Sequence, residues 1–155
     1  MLKATIDGLK YGHQRDLAPL LANLLDRAIA AQWRVALPEH ATLIPVPLHP
    51  SRERERGFNQ SALIAAGIAG VHDGWETDLG ALVRTRATPR QVGLSRSERL
   101  SNTDGAFVVR WLPPKDHTII LIDDVATTGS TLRECAKTLR SAGARKVWAA
   151  VTAQG

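Results

Sequence analysis

The chain has 155 residues, 44% of them hydrophobic and 23% charged, which suits one globular domain with a sizeable core. Its formal net charge is +5, and the basic residues are mostly arginines in two clusters, so a polyphosphate ligand and a nucleic acid are both open as partners. One cysteine excludes an internal disulfide, and the five histidines show no metal-ligand spacing. No apolar stretch is long enough to span a membrane, and residues 1–16 contain no signal-peptide core. We therefore expect a cytoplasmic protein that has no membrane partner.

Taken in chain order, the elements alternate between helices and strands. Apolar residues at helical spacing predict helices over Leu17–Ala31, Asn59–Ala69 and Thr131–Ser141. Short apolar runs predict strands over Thr42–Val46, Ala81–Arg84, Ala106–Val109, Ile119–Ile122 and Lys146–Thr152. Turns or loops are expected over Pro45–Arg56 and Thr85–Thr103. This alternation predicts an α/β fold with a parallel sheet covered by helices on both faces.

The most informative pattern follows the apolar run Ile119–Ile122. Asp123 and Asp124 come directly after this run, and the small polar loop Thr127–Thr131 leads into a helix. Carboxylates can accept hydrogen bonds from a vicinal diol, while a loop at a helix N-terminus favours a phosphate. The pattern therefore indicates a ribose phosphate site. The alternative is a strand whose end is solvated by two acids, followed by an ordinary N-cap at Thr127 or Thr128.

The same stretch resembles the motif by which type I phosphoribosyltransferases bind 5-phosphoribosyl-1-diphosphate (PRPP). The resemblance implies that Asp123 and Asp124 contact the ribose hydroxyls. It also implies that the following loop holds the 5′-phosphate; the loop residues are Ala126, Thr127, Thr128, Gly129, Ser130 and Thr131. The loop is not a Walker A motif, because no lysine follows Gly129.

The segment Ile44–Gln60 reads IPVPLHPSRERERGFNQ and resembles the ComF/GntX branch of these proteins, which carries PVPL…R…RGFNQ at this place. The resemblance implies a diphosphate-binding loop with cationic support nearby. The loop residues would be Val46, Pro47, Leu48 and His49, and the supporting cations Arg54 or Arg56. The alternative is a proline-stiffened turn with solvated arginines and Phe58 as a hydrophobic staple.

The segment Arg84–Phe107 also resembles the ComF family, whose pattern here is R…T…Q…L…R…N…GAF. In type I phosphoribosyltransferases this region is a hood loop that closes over the diphosphate, which would keep water from the reacting ribosyl centre. We expect Gln91, Arg96, Arg99 and Asn102 near the ligand. The alternative is a mobile surface loop with solvated arginines.

The resemblance implies a type I phosphoribosyltransferase fold with a small hood, in one domain over residues 1–155. Residues 1–40 are the candidate N-terminal helical or hood segment, and 41–155 the core. It also implies PRPP as ligand, with Mg²⁺ carried by PRPP and no further metal site, and transfer of a phosphoribosyl group with release of diphosphate. No catalytic residue is identified: where purine-salvage members have an acid in the phosphate loop, this chain has Thr127.

ComF-like proteins typically begin with a Cys-rich zinc ribbon, which is absent from this sequence, so either the protein lacks the ribbon or the ribbon lies upstream of Met1. Two other functions stay open. The resemblance to competence proteins implies a DNA-uptake accessory protein that binds single-stranded DNA or a competence helicase, and the arginine clusters are compatible with this. A non-catalytic PRPP sensor would need the same ligand contacts as an enzyme. Acceptor substrate and oligomeric state are not readable from the sequence.

Overall fold

The computed structural model describes residues 15–32, 37–86 and 104–154. A 3₁₀ turn at Arg15–Leu17 precedes the first helix. The helices are α1 Ala18–Gln32, α2 Pro50–Arg56, α3 Gln60–Ala69 and α4 Ser130–Ser141. The strands are β1 Ala41–Pro45, β2 Trp75–Thr77, β3 Leu82–Arg84, β4 Phe107–Val109, β5 Thr118–Ala126 and β6 Val147–Gln154. Among these described helices, none is both long and apolar enough to cross a membrane.

Within the described residues, four strands form the main sheet in the order β2-β1-β5-β6, and every neighbouring pair is parallel. The predicted parallel sheet is therefore confirmed. β5 lies inside the sheet, with β1 on one side and β6 on the other. Its apolar residues Ile120, Leu121 and Ile122 have no exposed surface. Burying a side chain of this size contributes about 2 kcal/mol, which is why a continuous apolar run occupies this central strand.

Alternation along the strands sends side chains into two separate cores, one on each face of the sheet. Leu43, Ile120 and Ile122 point to the face covered by α1 and α3. Ile44 and Leu121 point to the other face, which is covered by α4. The first core is completed by Leu21, Leu25, Ile29, Ile64, Ala65 and Ile68. The second is completed by Leu82, Phe107, Cys135, Leu139 and Val147. The prediction of helices on both faces is confirmed.

The turn predicted over Pro45–Arg56 is wrong in its second half, because residues Pro50–Arg56 form helix α2. His49 is its N-cap, and its Nδ1 accepts a hydrogen bond from the Ser51 N–H at 3.3 Å. Gly57 ends the helix in the left-handed conformation, with a φ of 79° that glycine adopts without steric cost. The arginines and glutamates between these caps are good helix formers, and the helix buries none of its residues.

The predicted strands around residues 81–84 and 106–109 are present, but they lie outside the main sheet. β3 and β4 pair with each other in an antiparallel two-stranded sheet, with Leu82 opposite Val109 and Arg84 opposite Phe107. Leu82 and Phe107 pack into the core on the α4 side. Residues 85–106 connect the two strands of this small sheet. The short edge strand β2 at Trp75–Thr77 was not predicted from the sequence.

Candidate functional site

The candidate site begins where β5 extends past the end of β1. The last residue pair between these strands is Pro45 with Ile122, and the Val46 N–H donates to the Ile122 carbonyl at 2.8 Å. β5 then continues to Ala126 with partners only on the β6 side. The prediction that this strand ends at Ile122 is therefore wrong, because pairing with β6 carries it through both acids. The acidic pair lies at the carboxyl edge of a parallel sheet, the usual place for a ligand.

Both carboxylates are held by the first turn of α3. The Ser61 hydroxyl donates to Oδ1 of Asp123 at 3.2 Å, and the Gln60 amide donates to Oδ2 of Asp124 at 3.5 Å. The Asp124 N–H also donates to Asp123 Oδ1 at 2.9 Å, and the Val125 N–H donates to Asp124 Oδ1 at 2.8 Å. Asp124 is 6% exposed, and Asp123 is half-buried. The two acids are thus fixed in orientation before any ligand arrives.

The carboxylates of Asp123 and Asp124 repel each other when both are ionised. Burial and the adjacent Asp124 carboxylate raise the pKa of Asp123 to about 8, while the Asp124 N–H and the Ser61 hydroxyl act in the opposite direction. Burial also raises the pKa of the Cys135 thiol, and Asp123 adds to that rise. Asp123 therefore keeps its proton to a much higher pH than an ordinary aspartate does. A ligand that donates hydrogen bonds or brings positive charge to this position favours the ionised carboxylate.

Arg84 is a partly buried cation close to this acidic pair. The Arg84 guanidinium is near Asp123 and lies 5.4 Å from the centre of the Phe107 ring. Burial lowers the pKa of Arg84, and the neighbouring Arg52 lowers it further, whereas Asp123 raises it. Arg84 on β3 therefore interacts electrostatically with both Arg52 on α2 and Asp123 on β5. Two neighbouring cations favour an anionic ligand beside them.

The predicted phosphate loop surrounds a small concave pocket next to Asp123. The pocket has a volume of about 30 Å³ and is lined by Asp123, Val125, Ala126, Thr127, Gly129, Ser130, Thr131 and Leu132. Gly129 is the residue before α4, and its φ of 68° turns the chain sharply into the helix. The N-cap is therefore Gly129, and neither Thr127 nor Thr128 occupies that position. The pocket borders the first turn of α4, and the Ser130 N–H donates to Oγ1 of Thr128 at 3.4 Å. The N–H groups of a first helical turn lack partners within the helix, which favours an anion there.

The predicted diphosphate loop lies beside the acidic pair, at the same edge of the sheet. Val46 is buried, and its carbonyl accepts a hydrogen bond from the Asn59 amide at 3.0 Å. Pro47, Leu48 and His49 are half-buried, and His49 also caps α2. Arg54 and Arg56 lie in the last turn of α2, where Arg54 is exposed and Arg56 is half-buried. The structure thus brings the first and second predicted segments together.

The four predicted hood residues, Gln91, Arg96, Arg99 and Asn102, lie outside the described residues. Three residues that do lie at the site were not predicted as site residues: Gln60, Ser61 and Arg84. For Gln60 and Ser61 a signal existed, because Gln60 ends the motif RGFNQ and Ser61 follows it directly. For Arg84 the only signal was membership of an arginine cluster, which more often indicates a solvated surface.

A larger cavity, of about 440 Å³, lies at the opposite edge of the sheet. It is lined by the Leu112–Lys115 segment together with His117, Ile119 and residues 143–145. None of the predicted site residues contributes to it. Because ligands of parallel α/β sheets bind beyond the carboxyl ends of the strands, chemistry and topology both favour the smaller pocket as the functional one.

Comparison with known proteins finds a family model and several relatives that match this chain. Residues 92–155 match the family model described as phosphoribosyl transferase domain. The chain is 35% identical over 153 residues to DNA utilization protein YhgH of Escherichia coli (strain K12), covering 95% of this chain and 65% of that protein. It is 34% identical over 152 residues to competence protein F of Haemophilus influenzae, covering 94% and 65%. It is 29% identical over 144 residues to competence protein ComFC of Bacillus subtilis, covering 92% and 55%. The chain thus spans less than two thirds of the length of these relatives.

One solved structure supports the fold independently. The allosteric regulatory enzyme of purine biosynthesis superposes with a TM-score of 0.55 at 20% sequence identity, covering 88% of this chain and 26% of that one. At this identity the likeness concerns the arrangement of the strands and helices, which is the arrangement that the sequence predicted.

Proposed function

Because the chain belongs to the ComF family of phosphoribosyltransferase-like proteins and has the type I phosphoribosyltransferase fold, we propose that it binds PRPP together with Mg²⁺. The observation that carries this proposal is the meeting of three elements at one sheet edge. The acidic pair Asp123 and Asp124, the pocket-forming loop Ala126–Thr131 and the loop Val46–His49 lie side by side there. PRPP offers a matching set of groups: a diol, a 5′-phosphate and a 1-diphosphate.

Each part of the ligand has a partner of suitable chemistry. The ribose hydroxyls would donate to the two carboxylates, and this would favour the ionised form of Asp123. The 5′-phosphate would accept from the N–H and hydroxyl groups of Thr127, Ser130 and Thr131, next to the N-terminus of α4. The diphosphate would lie against the Val46–His49 loop, with the arginines of α2 and Arg84 as nearby cations.

The residues present fit Mg²⁺ only as a companion of the ligand. Within the described residues, no group of three or more His, Cys, Asp or Glu side chains is placed to hold a metal ion. Mg²⁺ characteristically takes substrate phosphate oxygens and keeps several waters, so PRPP would supply the principal oxygens while the chain positions the ribose. When bound, the ion would neutralise charge on the diphosphate leaving group.

We propose further that the bound PRPP reacts by transfer of its phosphoribosyl group. The bond between the anomeric carbon and the diphosphate oxygen would break as an acceptor atom bonds to that carbon, and diphosphate would leave. The Arg84 and Arg52 guanidinium groups would stabilise the charge on the leaving group, and the carboxylates would hold the ribose in place as positive charge develops. A PRPP sensor would need the same ligand contacts, so turnover is the property that separates the two.

Binding is tested by calorimetric titration of the full chain with PRPP, with and without Mg²⁺. We expect metal-dependent binding for the wild type and its loss in the double variant Asp123→Asn/Asp124→Asn, which keeps the side-chain shape and removes both ionisable carboxyl groups. Asp73→Asn is the matched control, because Asp73 is exposed in the turn before β2. Unchanged PRPP affinity in the folded double variant would refute the ribose assignment.

Turnover is tested by measuring diphosphate release from PRPP in the presence of nucleobase and amine acceptors. Release that depends on an acceptor identifies an enzyme. Tight PRPP binding with release no faster than the spontaneous hydrolysis of PRPP, for the whole acceptor set, would favour the sensor.

A second candidate function is binding of single-stranded DNA, alone or with a helicase. It is favoured by the names of the relatives, which concern DNA utilization and competence, and by the net charge of +5. Arg52, Arg54 and Arg56 lie on the short helix α2, where they alternate with Glu53 and Glu55, so the helix has a small net positive charge. DNA binding predicts an affinity for a labelled oligonucleotide that falls steeply with salt, with a slope of several phosphates. No binding at low salt would remove this candidate.

A further inference from the structure

The amino-terminal turn of α3, Asn59–Ser61, contacts both the diphosphate loop and the acidic pair. On the loop side, the Asn59 amide donates to the Val46 carbonyl at 3.0 Å. The side-chain oxygen Oδ1 of Asn59 accepts from the Ser61 N–H at 3.0 Å, so the same side chain is the N-cap of α3. The loop is thereby fastened to the start of a helix rather than to another loop.

On the acidic side, the next two residues reach the two carboxylates. Ser61 donates to Asp123 at 3.2 Å, and Gln60 reaches Asp124 at the longer distance of 3.5 Å. Gln60 is 2% exposed and Ser61 is 3% exposed, so water does not compete strongly for these groups. The oxygen of the same Gln60 amide, Oε1, is buried and has no hydrogen-bond partner among the residues that the structure describes. An unsatisfied buried acceptor costs stability until it gains a donor.

The turn itself is held firmly by the helix behind it. Ile64, Ala65 and Ile68 of α3 have no exposed surface and pack against the sheet and α1. A site residue carried by a packed helix is placed more accurately than one carried by a loop. The spacing between the diphosphate loop and the two carboxylates therefore depends on helix α3, whose first turn contacts both halves of the site.

We propose that the Asn59–Ser61 turn is the positioning element of the site, and that it sets the distance between the diphosphate loop and the acidic pair. This inference rests on the proposed binding of PRPP. Asn59 acts through Val46 on the diphosphate end of the ligand, and Ser61 acts through Asp123 on the ribose end. Neither residue needs to touch the ligand.

Two variants test the diphosphate half and the ribose half of the site separately. Asn59→Asp keeps an oxygen that accepts from the Ser61 N–H, so the helix cap is retained, but it removes the donor to Val46. Ser61→Ala removes the donor to Asp123, and Ser61→Thr restores a hydroxyl at the same position as its matched control. Thermal unfolding of each variant establishes that it is folded before binding is measured.

Affinity is measured for three ligands, each with Mg²⁺: PRPP, ribose 5-phosphate and inorganic diphosphate. A carboxylate or loop that has lost its anchor must be ordered by the ligand, which should lower affinity by roughly tenfold. We expect Ser61→Ala to weaken PRPP and ribose 5-phosphate by about this factor and to leave diphosphate unchanged, with Ser61→Thr close to wild type. We expect Asn59→Asp to weaken PRPP and diphosphate and to spare ribose 5-phosphate.

The outcomes distinguish this inference from the proposed function. If the wild type binds PRPP and the variants bind all three ligands as well as the wild type does, the positioning role is refuted while PRPP binding stands. An equal loss for all three ligands would also refute it, because general damage has no preference for one half of the site. A folded wild type that does not bind PRPP would overturn both.

Discussion

The substitution Asp123→Asn should make the unliganded protein more stable at alkaline pH while removing the ribose contact. In the folded protein, burial and the Asp124 carboxylate raise the pKa of Asp123 from the ordinary value of 3.8 to about 8. The folded state therefore holds a proton on Asp123 at pH values where the unfolded chain has lost it. By linkage, the free energy of unfolding contributed by this group falls as pH rises from about 4 to about 8.

The size of the effect follows from the same values. At about 1.4 kcal/mol for each tenfold change in proton affinity, the rise to about 8 sets an upper limit of roughly 6 kcal/mol. Asp123 is half-buried, so water that reaches the carboxylate reduces the cost of ionising it. The variant also gives up the charge-assisted part of the hydrogen bond from Ser61. We expect a net gain of about 2 kcal/mol for Asp123→Asn at pH 9 relative to wild type, and little difference at pH 4.

The assay is urea unfolding of the wild type, Asp123→Asn and the exposed control Asp73→Asn, each at pH 4, 6, 8 and 9. The quantity compared is the difference in unfolding free energy between variant and wild type as a function of pH, since other groups that titrate cancel in that difference. A difference for Asp123→Asn that stays flat from pH 4 to pH 9, like that of the control, would refute the reasoning.

Three further predictions concern the loop, the core and the thiol. Gly129→Ala should lower the free energy of unfolding by about 1 kcal/mol, because φ is 68° at this position. The nearest side chain, Arg133, would lie 3.7 Å from the new Cβ, so no clash adds to this loss. Urea unfolding should show the loss, and a gain in stability would contradict it. Gly67→Ala should also destabilise the fold, by about 1 kcal/mol net. Its Cβ would lie 2.7 Å from the Cβ of Ala22, and the better helix propensity of alanine offsets this clash only in part. An increased melting temperature would be inconsistent with this prediction. Cys135 is fully buried, and burial raises the pKa of its thiol. A thiol reagent at pH 8 should therefore label Cys135 only after denaturant is added. Rapid labelling of the folded chain would contradict this burial.

The parts of the fold that could be predicted are those in which one local signal is sufficient. The run Ile119–Ile122 is apolar on both faces, so a buried parallel strand is its only favourable environment. Asn59 followed by an apolar periodic segment predicts the start of α3, which begins one residue later. In the same way, the order of acids and small polar residues after the apolar run Ile119–Ile122 predicts a ribose phosphate site without any knowledge of packing.

The parts that could not be predicted depend on partners distant in sequence. β5 continues through Asp123 and Asp124 because β6 offers hydrogen bonds there, and acidic residues carry no sign of this. α2 was missed because its residues bury nothing, so hydrophobic periodicity is absent and only the caps at His49 and Gly57 mark it. The contact between Ser61 and Asp123 joins positions 62 apart in the chain. Such a contact follows from the packing of α3 on the sheet, not from local sequence.

The alternation of side chains along β5 has a consequence for the cooperativity of unfolding. Ile120 and Ile122 belong to one core, and Ile119 and Leu121 belong to the other, so a single strand forms a wall of both. Neither layer can melt without exposing the strand on which the other depends, and the chain should therefore unfold in one transition. The residues Asp123 and Asp124 continue this same strand. A ligand that ties them to the α4 loop would raise the melting temperature of both layers together, which makes thermal shift a direct readout of occupancy.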